Sequence, residues 1–522
     1  MSATVPDSPS DTLSDSAVGR RRLLRTSIAA GAATAMPLSM SVSTVEFAHA
    51  AGQADETEVV TGHLDTGAAD FVHLPVRVPA GVREIAVSYT YDKPQVPQGT
   101  VGNACDIGVF DQRGHELGSE GFRGWSGGFR TQFAISASEA TPGYLPGPVD
   151  PGVWHIVLGP YTVAPQGMDY RVEITLRYGE PGPAFTPNYP PQRARGRGRA
   201  WYRGDCHLHT VYSDGRRTVP ELVAAARAAE LDFIVSTEHN TTSSHGVLGD
   251  HAGPDLLILT GEEITTRNGH YLALGTDPGE WIDWRYRARD GQYSRHARLI
   301  HRAGGLVVPA HPYCPFVACQ WKFGYDGADA VEVWNGPWTV DDELSLGEWD
   351  AMLVRSVRRG DDWIPAMGNS DAHREPQVVG LPQTVVLADD LERHALLAGI
   401  RAGRSWIAES SSVDLGFSAA GGRGVHAGIG GRLRVRPSDP VTVRLDVSGA
   451  PAGALVRFMT DEGQLSQTAL GASGSGTATW RTTASCSAYV RAEVRRPPAD
   501  GGASGLPGPM VAMTNPVFLG GR

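Results

Sequence analysis

The chain reads as an α/β protein: a central β/α barrel, or a related wound sheet, with a β-sandwich-like region on either side. Three observations predict this. Between Trp201 and about Ser410, short apolar runs of strand type alternate with runs of helical spacing, as in sheets wound with helices. On both sides the apolar runs are short, alternating and punctuated by Gly and Pro, as in antiparallel sandwiches. A length of 522 residues, with 41% hydrophobic and 20% charged content, exceeds one ordinary domain and suffices for several units that each bury a core.

Taken in order, residues 1–50 join an arginine cluster to an Ala-rich apolar run, "GRRRLLRTSIAAGAATAMPLSM", and end on "AHA" at Ala48 to Ala50. This is the pattern of a twin-arginine export signal. The mature chain is therefore expected to start near Ala51 and to be secreted, periplasmic or at the cell surface. The run is too short and too rich in Gly and Ala for a membrane span, which takes about 20 apolar residues, so no transmembrane segment is expected in the mature chain. Residues 51–180 hold β-type runs such as "REIAVSYTYD", "CDIGVFDQRG" and "DYRVEITLRYG" and are read as a sandwich. Residues 181–200, rich in Pro and Arg, are read as a linker.

Residues 201–410 form the barrel segment. Its helices are expected in "VPELVAAARAAEL", "YSRHARLIHRAGG", "DELSLGEWDAMLVRSVRRG" and "LERHALLAGIRAG". Its strands are expected in "DFIVSTEHN", "DLLILTGEEIT", "GHYLALG", "LVVPAHP", "DAVEVWNG" and "WIPAMGNSDAH". Residues 411–522 return to β-type runs, "VTVRLDVSG" and "SAYVRAEVRR" among them, and are read as a second, smaller sandwich packed on the barrel.

A formal net charge of -11 argues against a nucleic-acid-binding surface, which needs clustered Lys and Arg. The 5 cysteines are too few, and odd in number, to define the fold as a disulfide framework. Cys314 and Cys319, close in sequence in a chain expected to be exported, are the favoured pair if one forms.

Polar residues collect at the ends of the central strands. His207 and His209 close the first, His239 closes "FIVSTEH", and Glu262 or Glu263 follows "LLILTG". His270 opens "GHYLALG", His311 closes "LVVPAH", and Asp371 and His373 close "AMGNSDAH". Ligands bind at the carboxyl ends of parallel strands in such folds, so these distant residues would converge on one mouth. Strand alternation puts His207 and His209 on one face, with Cys206 and Leu208 opposite, and likewise pairs Asp371 with His373. Imidazoles and carboxylates gathered together are costly to bury unless something neutralises them. A divalent cation does so, and a mixed N and O donor set suits Zn, Mn or Fe better than Ca or Mg.

With "HLHTVYSDG", "STEHN", "GEEITTRNGHYLALG", "PAHP" and "GNSDAH" occurring in that order, the chain resembles the polymerase-and-histidinol-phosphatase, or PHP, metal-dependent phosphoesterases from about Gly204 to Ile407. The resemblance implies a distorted seven-stranded β/α barrel holding two or three divalent ions. It implies metal ligands at His207, His209, Asp214, His239, Glu263, His311, Asp371 and His373, with Glu263 chosen over Glu262 by its "GxEI" register. The catalytic candidates are His270, His311 and Asp214; His270 either completes a third metal position or contacts the leaving group. Glu238 stands where many members have Asp, so it receives no role. The expected reaction is hydrolysis of a small-molecule phosphate mono- or diester by a metal-activated water. Exported relatives, the carbaryl hydrolase group among them, are similar over this barrel and cleave carbamate or carboxyl esters, which is a second reading. A third is a cell-surface module that binds glycan or wall polymer through its β regions, with a degenerate barrel.

Substrate contacts are less determined. Arg267, Arg374 and Lys322 lie beside the ligand motifs and are candidate phosphate clamps, with surface solvation as the competing reading. Trp321, Trp334, Trp338, Trp349 and Trp363 are read first as packing residues. In the alternative, "VWNGPW" lines an aromatic pocket in which Asn335 binds substrate. "GWSGG" at Gly124 to Gly128 supports no sugar-binding reading by itself. Cys206, pointing away from the ligand face, is read as packing.

Overall fold

Alternating burial along Val82–Tyr91, with Ile85, Val87 and Tyr89 inside, is what a strand with one covered face requires. That pattern recurs across the amino-terminal region and builds two four-stranded sheets. One runs Glu56–Leu64, Met168–Tyr178, Val82–Tyr91, Gln132–Ser136; the other runs Val72–Val78, Gly152–Thr162, Ala104–Phe110, Phe122–Gly127. All their pairings are antiparallel, and their inner faces share one core around Ile107, Trp154, Ile156, Val172 and Ile174. The structure, a computed structural model, describes residues 54–499, 501 and 505–521, without the side chains of residues 423, 464 and 465. The export-signal reading of residues 1–50 lies outside the described residues. The described residues belong to one compact unit, Ala51–Arg522.

Residues 181–199 contain no regular helix or strand, yet they are not a free linker. Backbone bonds from Asn188 to Gly246, Ala194 to Leu391 and Arg195 to Pro254 strap them along the central region.

The central region is mixed α/β, with many strands and four α-helices: Val219–Ala228, Tyr293–Arg302, Val340–Arg359 and Arg393–Arg401. The first begins where Thr218 and Glu221 form a reciprocal capping box with Pro220 in the first turn, which satisfies amides that the helix leaves unpaired. Strands Ala200–Asp205, Phe233–Ser236 and the start of Leu257–Thr266 run parallel, as expected.

The rest corrects the expectation of a regular β/α alternation. Leu257–Thr266 and Gly269–Leu274 form a tight antiparallel hairpin with no helix between them. Gly269 has a φ of 106°, and a Cβ there would stand 2.6 Å from the Trp321 backbone, so the turn depends on glycine. Leu306–Pro309 pairs antiparallel with Gly269–Leu274, and Gln383–Ala388 pairs antiparallel with both Ala200–Asp205 and Ser405–Ala408.

Among the described residues the strands do not close into a hydrogen-bonded barrel. Val331–Asn335 and Ala366–Asn369 make a separate parallel pair, and side chains span the gaps on either side. On one side, the Asp329 backbone N–H donates to Val307 O while the Val307 N–H donates to the Asp329 carboxylate. On the other, the Gly368 N–H donates to Thr384 Oγ1, whose hydroxyl donates back to Gly368 O.

The carboxy-terminal region is not a detached sandwich. Ser405–Ala408 has both edges paired, with Gln383–Ala388 and with Met510–Thr514. One sheet thus runs from the central region into the strands Tyr489–Arg495, Leu455–Thr460 and Gly463–Ala469. Its core joins Val385 and Trp406 to Val456, Val494 and Val511. A second sheet, His426–Gly428, Asp414–Gly421, Pro440–Ser448 and Gly476–Thr483, covers it. Among the described residues, no helix is long and apolar enough to cross a membrane.

Candidate metal centre

The hairpin and the strand ends bring the sequence-predicted ligands together. His207 and His209 follow Ala200–Asp205, both fully buried, with their rings 5.1 Å apart. Cys206 and Leu208, just past the strand, are each buried among apolar neighbours, in separate clusters. Glu263 is buried in the middle of Leu257–Thr266 and forms the hub. Its carboxylate lies 3.3 Å from His207, 3.4 Å from His209, 2.7 Å from His239, 2.9 Å from His270 and 3.2 Å from His311. Glu262, one residue earlier, faces the other way and accepts from the Ile282 N–H at 2.9 Å. Asp371 Oδ1 lies 3.3 Å from His207 and 3.1 Å from His209. Asp214 Oδ1 lies 3.4 Å from His239 and 3.2 Å from His373.

Backbone conformation supports the convergence. Asn240, His311 and Asp371 have φ values of 54°, 29° and 49°, a left-handed region that is costly for residues other than glycine and is retained where the surroundings impose it.

Whether these residues fit metal ions is decided by hydrogen bonding. His207 Nε2, His209 Nε2, Asp214 Oδ1, Glu263 Oε2, His270 Nε2 and Asp371 Oδ1 are all buried and all lack an aligned hydrogen-bond partner. Each such atom costs about 1–3 kcal/mol. Six of them together rival the whole net stability of a typical domain, about 5–15 kcal/mol. Five of them, all but His270 Nε2, lie within 3.5 Å of a carboxylate or imidazole atom of the same cluster, so the donor set fits cations that would satisfy them. His209, Asp214, His239 and His373 present ligand atoms within 4.8 Å of one another, as do His207, His209 and Glu263, and also His207, His311 and Asp371.

Without metal, the charges set each group's protonation. Burial lowers His207, but Asp371, Glu332 and Glu263 outweigh it and hold the imidazole well above its ordinary value. Burial is likewise overcome at His239, raised to about 10 by Glu263 and Asp214, and at His373, raised to about 9 by Asp371 and Asp214. Burial, reinforced by His373 and His239, pushes His209 down to about 3. Despite burial, the histidines hold Asp214, Glu263 and Asp371 below the usual carboxylate range.

Two supporting carboxylates escaped the sequence reading. Glu332, fully buried in Val331–Asn335, lies 3.2 Å from His207 Nδ1. A carboxylate there fixes the proton on Nδ1 and leaves Nε2 free for a metal. Glu332 also accepts from Asn335 and Asn369, each at 2.9 Å, and from the His311 N–H at 3.0 Å. Glu238 accepts from the Thr210 N–H at 3.1 Å, the Ser213 hydroxyl at 2.5 Å and the Thr210 hydroxyl. It thereby pins the turn that carries Asp214.

Above the centre lies a cavity of about 360 Å³. Asp214, His239, Asn240, Thr265, Arg267 and His270 form its central side; Phe71, Ala104, Asp106, Trp125, Gly127, Gly128, Phe129 and Tyr161 of the sandwich, together with Trp284, form the rest. The aromatic wall therefore comes from a different part of the chain than "VWNGPW". Trp334 and Trp349 are buried in a core with Trp338 and Trp363 packed against it, and Trp321 packs on Tyr271 and Tyr293. The "GWSGG" stretch, given no role from sequence, contributes Trp125, Gly127 and Gly128.

Of the substrate-contact candidates, Arg267 reaches the cavity, its guanidinium 4.4 Å over the Tyr161 ring. Asn335 instead donates to Glu332. Arg374 is exposed and outside the lining, and Lys322 pairs with Gln320. Cys314 and Cys319 form a disulfide with Cα atoms 5.6 Å apart. Cys319 Sγ lies 3.5 Å from His311 Nδ1, so the bridge braces the loop that follows this ligand.

No family model and no curated protein matches the chain. Among solved structures it is similar to a two-domain protein of Bacteroides vulgatus containing a predicted PHP-like metal-dependent phosphoesterase, at 15% identity over 60% of this chain and 95% of that one, with a TM-score of 0.34. It is also similar to a candidate metal-dependent phosphoesterase of Bifidobacterium adolescentis, at 21% identity over 37% and 92%, TM-score 0.26. An amidohydrolase of Chromobacterium violaceum matches at 20% identity over 34% and 89%, TM-score 0.26. At such identities and scores these likenesses do not decide an activity, and the function proposed next rests on the donor set and the cavity above it.

Proposed function

We propose that the protein is an exported metal-dependent hydrolase that cleaves an ester bearing an aromatic group. The observation that carries this reading is the set of six buried, unpartnered donor atoms beside an aromatic-walled cavity that Asp214 and His270 of this set line. Divalent ions held by His207, His209, Asp214, His239, Glu263, His311, Asp371 and His373 supply Lewis acidity and an activated water.

The chain's own residues do the remaining work. The aromatic wall binds the ring and excludes water. Arg267 faces the cavity, where a guanidinium offsets negative charge developing on the substrate. His270 lies 2.9 Å from Glu263 through Nδ1, which leaves the Nε2 lone pair for an ion or for a proton.

The lining bears on which ester is cleaved. A phosphate mono- or diester carries full negative charge and calls for several basic contacts, whereas among the described residues Arg267 is the one Arg or Lys lining this cavity. Five aromatic rings in the same lining favour an aryl carbamate or carboxyl ester; the phosphoester reading is kept on Arg267. The gathered donor set weighs against a degenerate barrel that only binds glycan. Export is proposed on the Arg20 to Ala50 pattern.

Side-by-side assays of p-nitrophenyl phosphate, bis-p-nitrophenyl phosphate and a naphthyl carbamate test the assignment. Asp371→Ala and His207→Ala are expected to abolish turnover while the flanking sheets stay folded. Undiminished turnover in metal-depleted protein would sink it.

A further inference from the structure

The cavity above the metal centre contains one acidic group that the hydrolytic chemistry does not use. Asp106 lies on the sandwich strand Ala104–Phe110 and faces the cavity beside Gly127 and Gly128. Its carboxylate makes no hydrogen bond and no ion pair among the described residues. Arg267 and His239, which line the same cavity, attract it at longer range; the guanidinium is engaged over the Tyr161 ring and His239 lies against Glu263. Phe71, Trp125, Phe129 and Trp284 line the same cavity.

We propose that Asp106 and these rings form a recognition site for a cationic nitrogen, so that the preferred substrate is an aromatic ester carrying a protonated amine on its non-reacting side. This deepens, and as to the ester rests on, the hydrolase reading above. The chemistry is complementary at each point. Ring faces attract a cation through their quadrupoles, more strongly when water is excluded. The half-buried Asp106 carboxylate opens into the cavity with no protein donor among the described residues, and a ligand N–H is the partner it can take there. Desolvation by its surroundings raises Asp106 to about 6 against the pull of Arg267 and His239, so the group is still ionised at pH 7.5 and available to a cation.

Two glycines keep the carboxylate within reach. A Cβ on Gly128 would stand 3.3 Å from Asp106 Oδ1, and one on Gly159 would stand 2.7 Å from the Trp125 ring. Space beside the acid is thus maintained by the absence of side chains. The net charge of -11 also favours approach of a cationic substrate.

The test uses compounds that cannot be hydrolysed. Calorimetric titration of the full chain at pH 7.5, with and without added divalent metal, compares 4-methylbenzylammonium with its neutral isostere 4-methylbenzyl alcohol. The ammonium compound is expected to bind about tenfold more tightly. In Asp106→Asn the ratio of the two affinities should fall to about one. Gly128→Ala, which crowds Oδ1, should reduce the ratio and serves as the second variant should Asp106→Asn not fold. Equal affinities in the unsubstituted protein, or a preference that survives both substitutions, would overturn the proposal. The two readings fail differently: an intact preference with no turnover of any ester sinks the hydrolase reading, and turnover of neutral aryl esters without the preference sinks this one.

Discussion

Glu332→Gln is the sharpest perturbation of the centre that leaves every direct ligand in place. The carboxylate is fully buried, and both oxygens are in use. Oε1 lies 3.2 Å from His207 Nδ1 and accepts from Asn369 at 2.9 Å; Oε2 accepts from the His311 N–H at 3.0 Å and from Asn335 at 2.9 Å. An amide has the same shape but turns one oxygen into a donor. Whichever way it is placed, an N–H2 group then faces Asn369 and His207 Nδ1, or faces both Asn335 and the His311 backbone, in a fully buried position. One or two buried donors are left unsatisfied, at about 1–3 kcal/mol each, and His207 loses the charge that orients its ring. Loss of such support typically weakens metal affinity about 10–100-fold, which corresponds to about 1.4–2.7 kcal/mol. Competition titration against a chelator of known affinity measures the effect, with circular dichroism confirming the fold. Metal affinity unchanged in a folded Glu332→Gln protein would refute the role given to Glu332.

Three further outcomes follow from the same geometry. Glu238→Ala removes the acceptor for the Thr210 N–H and the Ser213 hydroxyl, and urea denaturation should show a loss of about 1–3 kcal/mol. In metal-free protein, His239 and His373, raised to about 10 and about 9, add stability that is full below the ordinary imidazole value and lost as pH rises through 9 to 10. His209, held at about 3, acts oppositely: it stays neutral while the unfolded chain protonates, so stability also falls below about pH 6.5. The melting temperature of chelator-treated protein should therefore peak near neutrality, and a steady rise from pH 7 to 10 would contradict the assigned charges. Phe129→Ala, at the exposed lip of the cavity, should raise KM for an aryl ester about threefold to tenfold with kcat retained; steady-state kinetics showing a loss confined to kcat would count against the binding wall.

What the sequence disclosed about this site follows from how far each signal extends along the chain. His207 with His209 and Asp371 with His373 stand two residues apart, so each pair was readable within three residues, although all four lie just past their strands and Asp371 has a φ of 49°. Glu263 and Glu262 could not be separated by burial, since both are fully buried; only their opposite sides of the strand distinguish them. Glu332 sits inside the apolar run "DAVEVWNG", and its partner His207 is 125 residues away, so no local pattern marks it. A buried carboxylate in an otherwise apolar strand was the one available hint.

Asp106 and Trp125 belong to the sandwich, and nothing in their own neighbourhood shows that this region overlies the centre. "DLLILTGEEIT" and "GHYLALG" were readable as consecutive strands, but not that "TRNG" at Thr266 to Gly269 closes them into an antiparallel hairpin, which a wound parallel sheet does not contain. The continuous sheet through Ser405–Ala408 was hidden for another reason. Its partner strand, Met510–Thr514, is separated from it by the whole carboxy-terminal region.

The central claim is that the cluster around Glu263 holds divalent ions that the reaction requires. Metal content by inductively coupled plasma mass spectrometry, measured together with ester hydrolysis before chelation, after chelation and after metal return, tests it most directly. About two or three transition-metal ions per chain are expected, with loss of turnover when they are removed, recovery when they are restored, and fewer ions retained by Glu263→Gln. Full hydrolysis by protein containing far less than one ion per chain would contradict it.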